Sequence, residues 1–243
     1  MNIRLLSARL YSGTGRPGTE TSPGGGPYKY EPPIRPAQAA TLVAAFNGGF
    51  QLKDARGGYY TDGKAVAPLK AGSASLVIYR DGHVDVGAWG KDVKMNPQVA
   101  SVRQNLIPLV AHGRPTPAAG SPHWQSWGNT CAANTCDKSV PGLEHQWRSG
   151  AGVTSDGSLV YVTGPALDPL QLAQLLASAG VVRGMELDIN PYWDVFVTYQ
   201  PGLAGGLATP ENGQRLVPSS EQGPATFFDP TWARDFVTMS ARA

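Results

Sequence analysis

Apolar and polar residues alternate with period two in several short stretches, the pattern of strands with one buried face. The first runs over Ile3–Tyr11, where Ile3 and Leu5 flank Arg4 before Leu6 blurs the period. Ser75–Arg80 and His83–Trp89 alternate well on either side of Asp81-Gly82, a strong hairpin signal. A second hairpin is predicted from Gly150–Thr154 and Leu159–Thr163 around Ser155-Asp156-Gly157-Ser158. Val43–Phe46, Val99–Gln104, Leu106–Ala111, Val181–Ile189 and Val195–Tyr199 read as further strands. One stretch has a clear helical period: Asp168–Ala179, with Leu172, Leu175, Leu176 and Ala179 on one face. Asp168 caps it, Pro169 fills its first position and Gly180 follows its end. A shorter helix is expected from Pro36 towards Leu42. The aromatic tail Phe227–Phe236 is expected to pack back on the body.

Strands therefore dominate. The expected fold class is α+β: a single domain over 1–243 of mixed, mostly antiparallel β-sheet with few helices and long loops. The composition agrees with many structured loops. Gly and Pro together make up 51 of 243 residues, near the disordered range, but 6 Trp, 9 Tyr and 6 Phe supply a core. The longest loops are expected at 12–33 and 115–140.

Charge narrows the partners. The net charge is only +2, and the basic residues are scattered singly without aromatic interleaving, so nucleic acid is not an expected partner. The signs are uneven, however: residues 1–122 hold 14 Lys+Arg against 7 Asp+Glu, and residues 123–243 hold 6 against 11. Such halves are ordinarily solvated faces; a basic half also offers an anionic substrate a landing surface. No apolar run reaches the ~20 residues of a membrane-spanning helix. Met1–Arg4 lacks the apolar stretch of a signal peptide. The expectation is a secreted or cell-surface protein whose leader has been removed, with a cytoplasmic protein as the alternative. Cys131 and Cys136 are the two cysteines. Their simpler reading is a local disulfide stabilising a loop by about 2 kcal/mol in an oxidising compartment, the alternative being two free thiols. The oligomeric state is not legible.

Several motifs fail on context. Gly13-Thr14-Gly15-Arg16-Pro17-Gly18 fits the dinucleotide-binding pattern, but no helix opens after it to aim amides at a pyrophosphate. His123, Cys131, Cys136 and His145 have spacings that match no common zinc module. No nucleophile elbow and no phosphate-binding Walker loop occur.

Three elements carry more. On the strand Met185–Asn190, alternation puts Glu186, Asp188 and Asn190 on one face and Met185, Leu187 and Ile189 on the other. Two carboxylates at i and i+2 lie ~6–7 Å apart along the backbone, close enough to couple as an acid/base pair or a cation site, the plain alternative being a solvated strand face or a buried network. Asn47-Gly48-Gly49-Phe50 ends an apolar strand, and paired glycines there either form a tight turn or aim backbone amides at an anion. Arg148 stands at the mouth of the small-residue strand Ser149–Val153, where a guanidinium either grips phosphate or carboxylate or makes one surface ion pair.

The order Phe46–Phe50, then Arg148–Thr154 with Asp156-Gly157, then a helix and Leu187-Asp188, resembles the phosphodiester glycosidase family. The resemblance spans about Val43 to Asn190. It implies the α+β fold and hydrolysis of a sugar-1-phosphodiester, with a carbohydrate phosphodiester as substrate. One departure stands out. Many members of that family have Leu-Asp-Gly-Gly-Gly-Ser where this chain has Leu187-Asp188-Ile189-Asn190-Pro191-Tyr192. The aspartate carries over, whereas the glycine tract does not.

On this reading Asp188 stabilises positive charge at C1 or activates water, and Glu186 takes the complementary acid/base role. Arg148 and the Gly48 and Gly49 amides bind phosphate, and Asn47 and Asn190 orient sugar hydroxyls. Tyr59, Tyr60, Trp127, Tyr192 and Trp193 are candidates for stacking on sugar. No cofactor is required, although Asp188, Glu186 and Asn190 offer hard oxygen ligands suited to calcium or magnesium. The alternative is a non-catalytic domain of the same fold that binds glycans or cell-wall polymers.

Overall fold

The computed structural model describes residues 1–14, 28–128, 144–200 and 206–242. In chain order the strands are β1 (Leu6–Tyr11), β2 (Leu42–Asn47), β3 (Tyr59–Thr61), β4 (Lys64–Ala67), β5 (Ala74–Tyr79), β6 (Val84–Ala88), β7 (Val99–Gln104) and β8 (Val110–Ala111). They continue with β9 (Arg114–Pro115), β10 (Gln146–Thr154), β11 (Leu159–Leu167), β12 (Val181–Glu186), β13 (Phe196–Tyr199), β14 (Gly213–Arg215) and β15 (Phe236–Ala241). The helices are α1 (Pro36–Ala39), α2 (Leu52–Ala55) and α3 (Pro169–Ser178), and only α3 exceeds a single turn.

The strands form three five-stranded sheets, in the orders β1-β15-β2-β13-β14, β11-β10-β12-β8-β9 and β4-β3-β7-β5-β6. Every ladder in them is antiparallel. The expected mostly antiparallel α+β class is what the chain adopts, with no parallel ladder to make the sheets mixed. Parallel neighbours need long crossovers, usually helical, and the described residues hold one helix of that length.

All three sheets meet in one apolar core. Ala8, Leu10, Phe46 and Met239 of the first sheet pack with Leu76, Ile78 and Val86 of the third and Ala151, Val153 and Met185 of the second. Helix α3 covers the other face of the second sheet. Asp168 Oδ1 accepts the Gln171 amide at 2.7 Å, and Gln171 Oε1 accepts the Asp168 amide at 2.9 Å, closing both ends of a capping box. The helix buries Leu172, Ala173 and Leu176, but Leu175, expected on that face, is exposed. The aromatic tail covers the outer face of the first sheet, where Phe227 and Phe236 join Tyr11 and Val197.

Both predicted hairpins form, as do β7 and α3 at the expected places. Leu106–Ala111 keeps only β8 as strand, and β12 stops at Glu186. β15 has no counterpart among the expected strands, yet it lies inside the first sheet between β1 and β2. The rejected Gly13–Gly18 motif, much of the 12–33 and 115–140 loops, and Cys131 and Cys136 fall wholly or largely outside the described residues.

Candidate active site

The site forms where the ends of four strands converge. β10 and β12 lie side by side, with Gly150 opposite Glu186. Beyond β12 the pairing persists: Leu187 donates to Ser149 O and Ser149 donates to Asp188 O, both at 2.8 Å. Asp188 is thus fixed in place by the sheet. The end of β2 reaches it through Asn47 and the turn after it, and β15 enters through Arg234 and Asp235. The glycines of that turn make room for the protein's own side chains. A Cβ on Gly48 would lie 2.1 Å from Asp235 Oδ2, and one on Gly49 2.8 Å from Asn105 Oδ1. Gly150 and Gly152 serve packing in the same way, since a Cβ on Gly152 would lie 2.4 Å from Val181 Cγ1.

Three arginine–carboxylate pairs meet here. Arg148 Nη1 donates to Glu186 Oε1 at 2.5 Å, and both side chains are fully buried. The remaining donors of Arg148 go to main-chain carbonyls: Nε to Leu167 (2.7 Å), Nη1 to Trp127 (3.2 Å) and Nη2 to Glu144 (3.1 Å). Burial pushes the Glu186 carboxyl up to about 7 despite Arg148. Its Oε2 is buried without a hydrogen-bond partner.

Asp188 and Arg234 make the second pair. Arg234 Nη2 donates to Asp188 Oδ2 at 2.9 Å and to Gly49 O at 2.8 Å. Asp188 Oδ1 accepts the Ile189 amide at 2.8 Å. Burial raises this carboxyl to about 6, against the pull of Arg234 and the Ile189 and Asn190 amides. Asp188 is 4% exposed and Arg234 9% exposed, so this pair reaches the rim. In the third pair, Arg103 Nε donates to Asp235 Oδ2 at 2.8 Å, and its Nη2 donates to Phe50 O, tying β7 to the turn after β2.

A fourth buried acid has no arginine. Ser149 Oγ donates to Asp194 Oδ1 at 2.7 Å, and Asp194 Oδ2 is buried without a partner. The same Oγ accepts the Asn47 side-chain amide and the Asp188 main-chain amide, each at 3.0 Å. Tyr161 completes the hub by donating its hydroxyl to Asn47 Oδ1 at 2.6 Å. Burial, followed by the negative charges of Asp188 and Glu186, holds Asp194 well above the usual carboxylate range. Four buried acids face three buried arginines, and Asp194, the acid outside the three pairs, is one whose neutral form burial favours.

Aromatic rings border the exposed end. The Arg234 guanidinium lies 4.7 Å from the ring centroid of Trp193, and Trp193 packs edge-on against Trp232 at 5.3 Å. Tyr192 adjoins both tryptophans and is 43% exposed. Asn190 begins this turn, accepting the Tyr192 amide on Oδ1 at 2.9 Å.

The structure thus brings Asn47, Gly48, Gly49, Arg148, Glu186, Asp188 and Asn190 to one end of two sheets, but gives them unequal access. Arg148 is sealed among carbonyls and Glu186. The Gly48 amide is donated to Asp235 O at 2.9 Å, and the polar atoms of Asn47 are all engaged within the protein. Asp188 and Asn190 stand nearest the surface. Among the aromatic candidates, Tyr59 and Trp127 are core residues, whereas Tyr192 and Trp193 border the site. Sequence reasoning missed Arg103, Asn105, Asp194, Arg234 and Asp235. The adjacent Arg234-Asp235 pair and the lone Asp194 between Trp193 and Val195, charges set within apolar runs, are the signals that mark them.

Among the described residues no three His, Cys, Asp or Glu stand together as a metal-ligand set, and Glu186 and Asp188 each face a guanidinium. No helix of the described residues is long and apolar enough to cross a membrane.

No family model matches the chain, and no curated protein is matched by its sequence. A solved structure shares its fold. The chain superposes on the catalytic domain of zebrafish N-acetylglucosamine-1-phosphodiester alpha-N-acetylglucosaminidase, auto-inhibited by its pro-peptide, with a TM-score of 0.50 and 16% identity. That match covers 99% of this chain and 74% of the other. A hypothetical protein from Synechocystis aligns with a TM-score of 0.44 and 11% identity, over 98% of this chain and 57% of that one. The chain therefore has the α+β fold of a known glycosidase catalytic domain.

Proposed function

We propose that this protein is a phosphodiester glycosidase: it hydrolyses the C1–O bond of a sugar-1-phosphodiester, releasing the free sugar and a phosphomonoester. The observation that carries the reading is the Asp188–Arg234 pair. It is a nearly buried carboxylate and guanidinium bordered by tryptophan at the open end of the sheets, on the fold of a glycosidase catalytic domain.

In the reaction, the bond between C1 and the phosphate oxygen breaks and its electron pair leaves with the phosphate. Water oxygen bonds to C1 and loses a proton to a base. The phosphomonoester is a weakly basic leaving group, so the main demands are to stabilise positive charge at C1, activate water and hold the phosphate. Asp188 is the residue for the first two. Arg234 takes the anion-binding role given to Arg148 on sequence grounds, because its Nε and Nη1 make no hydrogen bond within the described residues. Trp193 and Tyr192 offer apolar faces to the sugar, and the side-chain amide of Asn190 offers a donor to a hydroxyl. Glu186 acts from behind, through Arg148 and the sheet, as a positioning residue. With arginine supplying the positive charge, turnover is expected to persist in the presence of a chelator.

The test is incubation of the purified protein with sugar-1-phosphate diesters while free reducing sugar is followed. Asp188→Asn is expected to abolish release and Arg234→Ala to weaken substrate capture. Unchanged turnover in Asp188→Asn overturns the assignment. Saturable binding of phosphate-linked glycans without product, for which the sealing of Glu186 and Arg148 is the favouring observation, makes the protein a binding domain instead.

A further inference from the structure

The basic surplus of the first half of the chain contributes only Arg103 to the site. Part of the remainder gathers in a groove of about 1000 Å³ between the free edge of β1 and the sheet containing β3, β7 and β5. Four cations line it, Arg9, Lys29, Arg80 and Arg242, against Asp62 and Asp81. Arg9 and Lys29 make no ion pair among the described residues, and they lie 5.3 and 5.4 Å from the centre of the Tyr30 ring. Arg242 Nη1 donates to Asp81 O at 2.7 Å, which sets it beside Arg80 on the β5–β6 turn. The two acids are already engaged with main-chain amides: Asp62 Oδ2 accepts from Lys29 and Asp81 Oδ1 accepts from His83.

The rest of the lining mixes apolar side chains such as Ile78 and Val99 with the hydroxyls of Ser7 and Thr41 and the edge of β1 itself. The Ala8 amide donates to Gly82 O and the Ser12 amide to Tyr30 O, both away from β15. Amides of alternate residues in an antiparallel strand point the same way, so the Leu10 amide faces the groove with no strand beyond it. The arrangement is two positive ends joined by hydroxyls and backbone donors, which complements a chain whose negative charges alternate with hydroxyl-bearing spacers.

We propose that this groove is an accessory binding site for a linear, phosphodiester-linked anionic glycan, the polymer that presents the scissile bond. The identity of the polymer rests on the phosphodiester glycosidase reading. Arg9 lies opposite Thr238 and Thr238 opposite Ala45, two residues before Asn47. Strand spacing then puts the backbones of Arg9 and Asn47 roughly 12 Å apart, and that of Arg234, four residues before Thr238, roughly 14 Å from Arg9, a length that a few units of an extended chain cover. Binding away from the reacting carbon holds the substrate without entering the chemistry.

The test uses a fluorescent linear poly(glycosyl phosphate), sugars joined through 1-phosphodiester links, and neutral dextran of similar length, titrated into the full chain at low and high salt. The expected result is binding of the phosphodiester polymer alone. It should weaken tenfold or more in R9A/K29A and lose much of its salt dependence there. A control variant, K91A/K94A, removes two exposed positive charges that do not line the groove and should bind like the parent chain. Asp188→Asn should bind the polymer normally, and R9A/K29A should hydrolyse a small sugar-1-phosphodiester at the parent rate. Equal weakening in both double variants, normal binding in R9A/K29A, or no binding by the parent chain overturns the groove. Polymer binding that depends on Arg9 and Lys29 with no hydrolysis of any diester upholds the groove while removing the enzymatic reading.

Discussion

The pairs Arg148–Glu186 and Arg234–Asp188 have the same chemistry and opposite settings. In the first, both partners are fully buried and carbonyls from three segments take up the remaining donors of the arginine. In the second, the arginine holds one carboxylate and one carbonyl, lies on a tryptophan ring and reaches the rim. A sealed pair fixes where strands sit, because breaking it strands a charge in a low-dielectric interior. An open pair with donors to spare can meet an anion from outside. The difference fits Arg148 for architecture and, on the proposed function, Arg234 for anion binding, although sequence patterning singled out only the former.

Substitutions can test that division. The largest effect is expected from Arg148→Met, which leaves Glu186 buried and unpaired and should cost about 3–5 kcal/mol in urea denaturation. R148M/E186L, which removes both charges, should recover most of that loss; if it does not, the pair contributes more than charge balance.

Asp188→Asn should leave the fold nearly intact while hydrolysis falls by about 10²–10⁴-fold. A urea midpoint that drops as far as in Arg148→Met would erase the contrast between the pairs.

The next effect concerns pH. Glu186, Asp188 and Asp194 all have folded-state values raised by burial, so the folded protein holds protons that the unfolded chain releases above its ordinary carboxylate range. Stability is therefore expected to fall as pH rises from about 4 to 7, with each such group adding a slope of up to about 1.4 kcal/mol per pH unit. Asp194→Asn, which replaces an acid held by burial well above its usual range with a neutral amide, should flatten the profile and raise the melting temperature at neutral pH. An unchanged profile would mean that Asp194 is ionised in the folded state. The smallest effect is expected from Trp193→Ala. Loss of the ring beneath Arg234 should raise KM several-fold, in line with the ~0.5–2 kcal/mol of a cation–π contact, with little change in kcat.

Legibility in the sequence followed the range of the forces involved. The β5–β6 and β10–β11 hairpins and α3 rest on turn glycines, caps and periodicity, all of which act within a few residues. β15 was not legible, because Phe236–Ala241 follows a tail whose aromatic content reads as surface packing, and its central place depends on pairing with β1 and β2 some 200 residues away. Leu175 shows the same limit on a smaller scale. Its spacing puts it on the apolar helix face, but the stripe that packs on the sheet runs through Leu172, Ala173 and Leu176 and leaves it exposed.

The sequence by itself determined a strand-rich α+β chain, its two hairpins, its one substantial helix and a polar face bearing Glu186 and Asp188. Tertiary structure alone decided which charge each carboxylate meets. Arg148 lies 38 residues from Glu186, Arg234 lies 46 from Asp188, and Asp194 joins Ser149 across 45. Such pairings leave no periodic trace, since the interaction energy depends on distance and burial in space and not on separation along the chain. The glycines that looked like openings for a ligand are, in the folded protein, the space into which its own aspartate, asparagine and valine side chains fit.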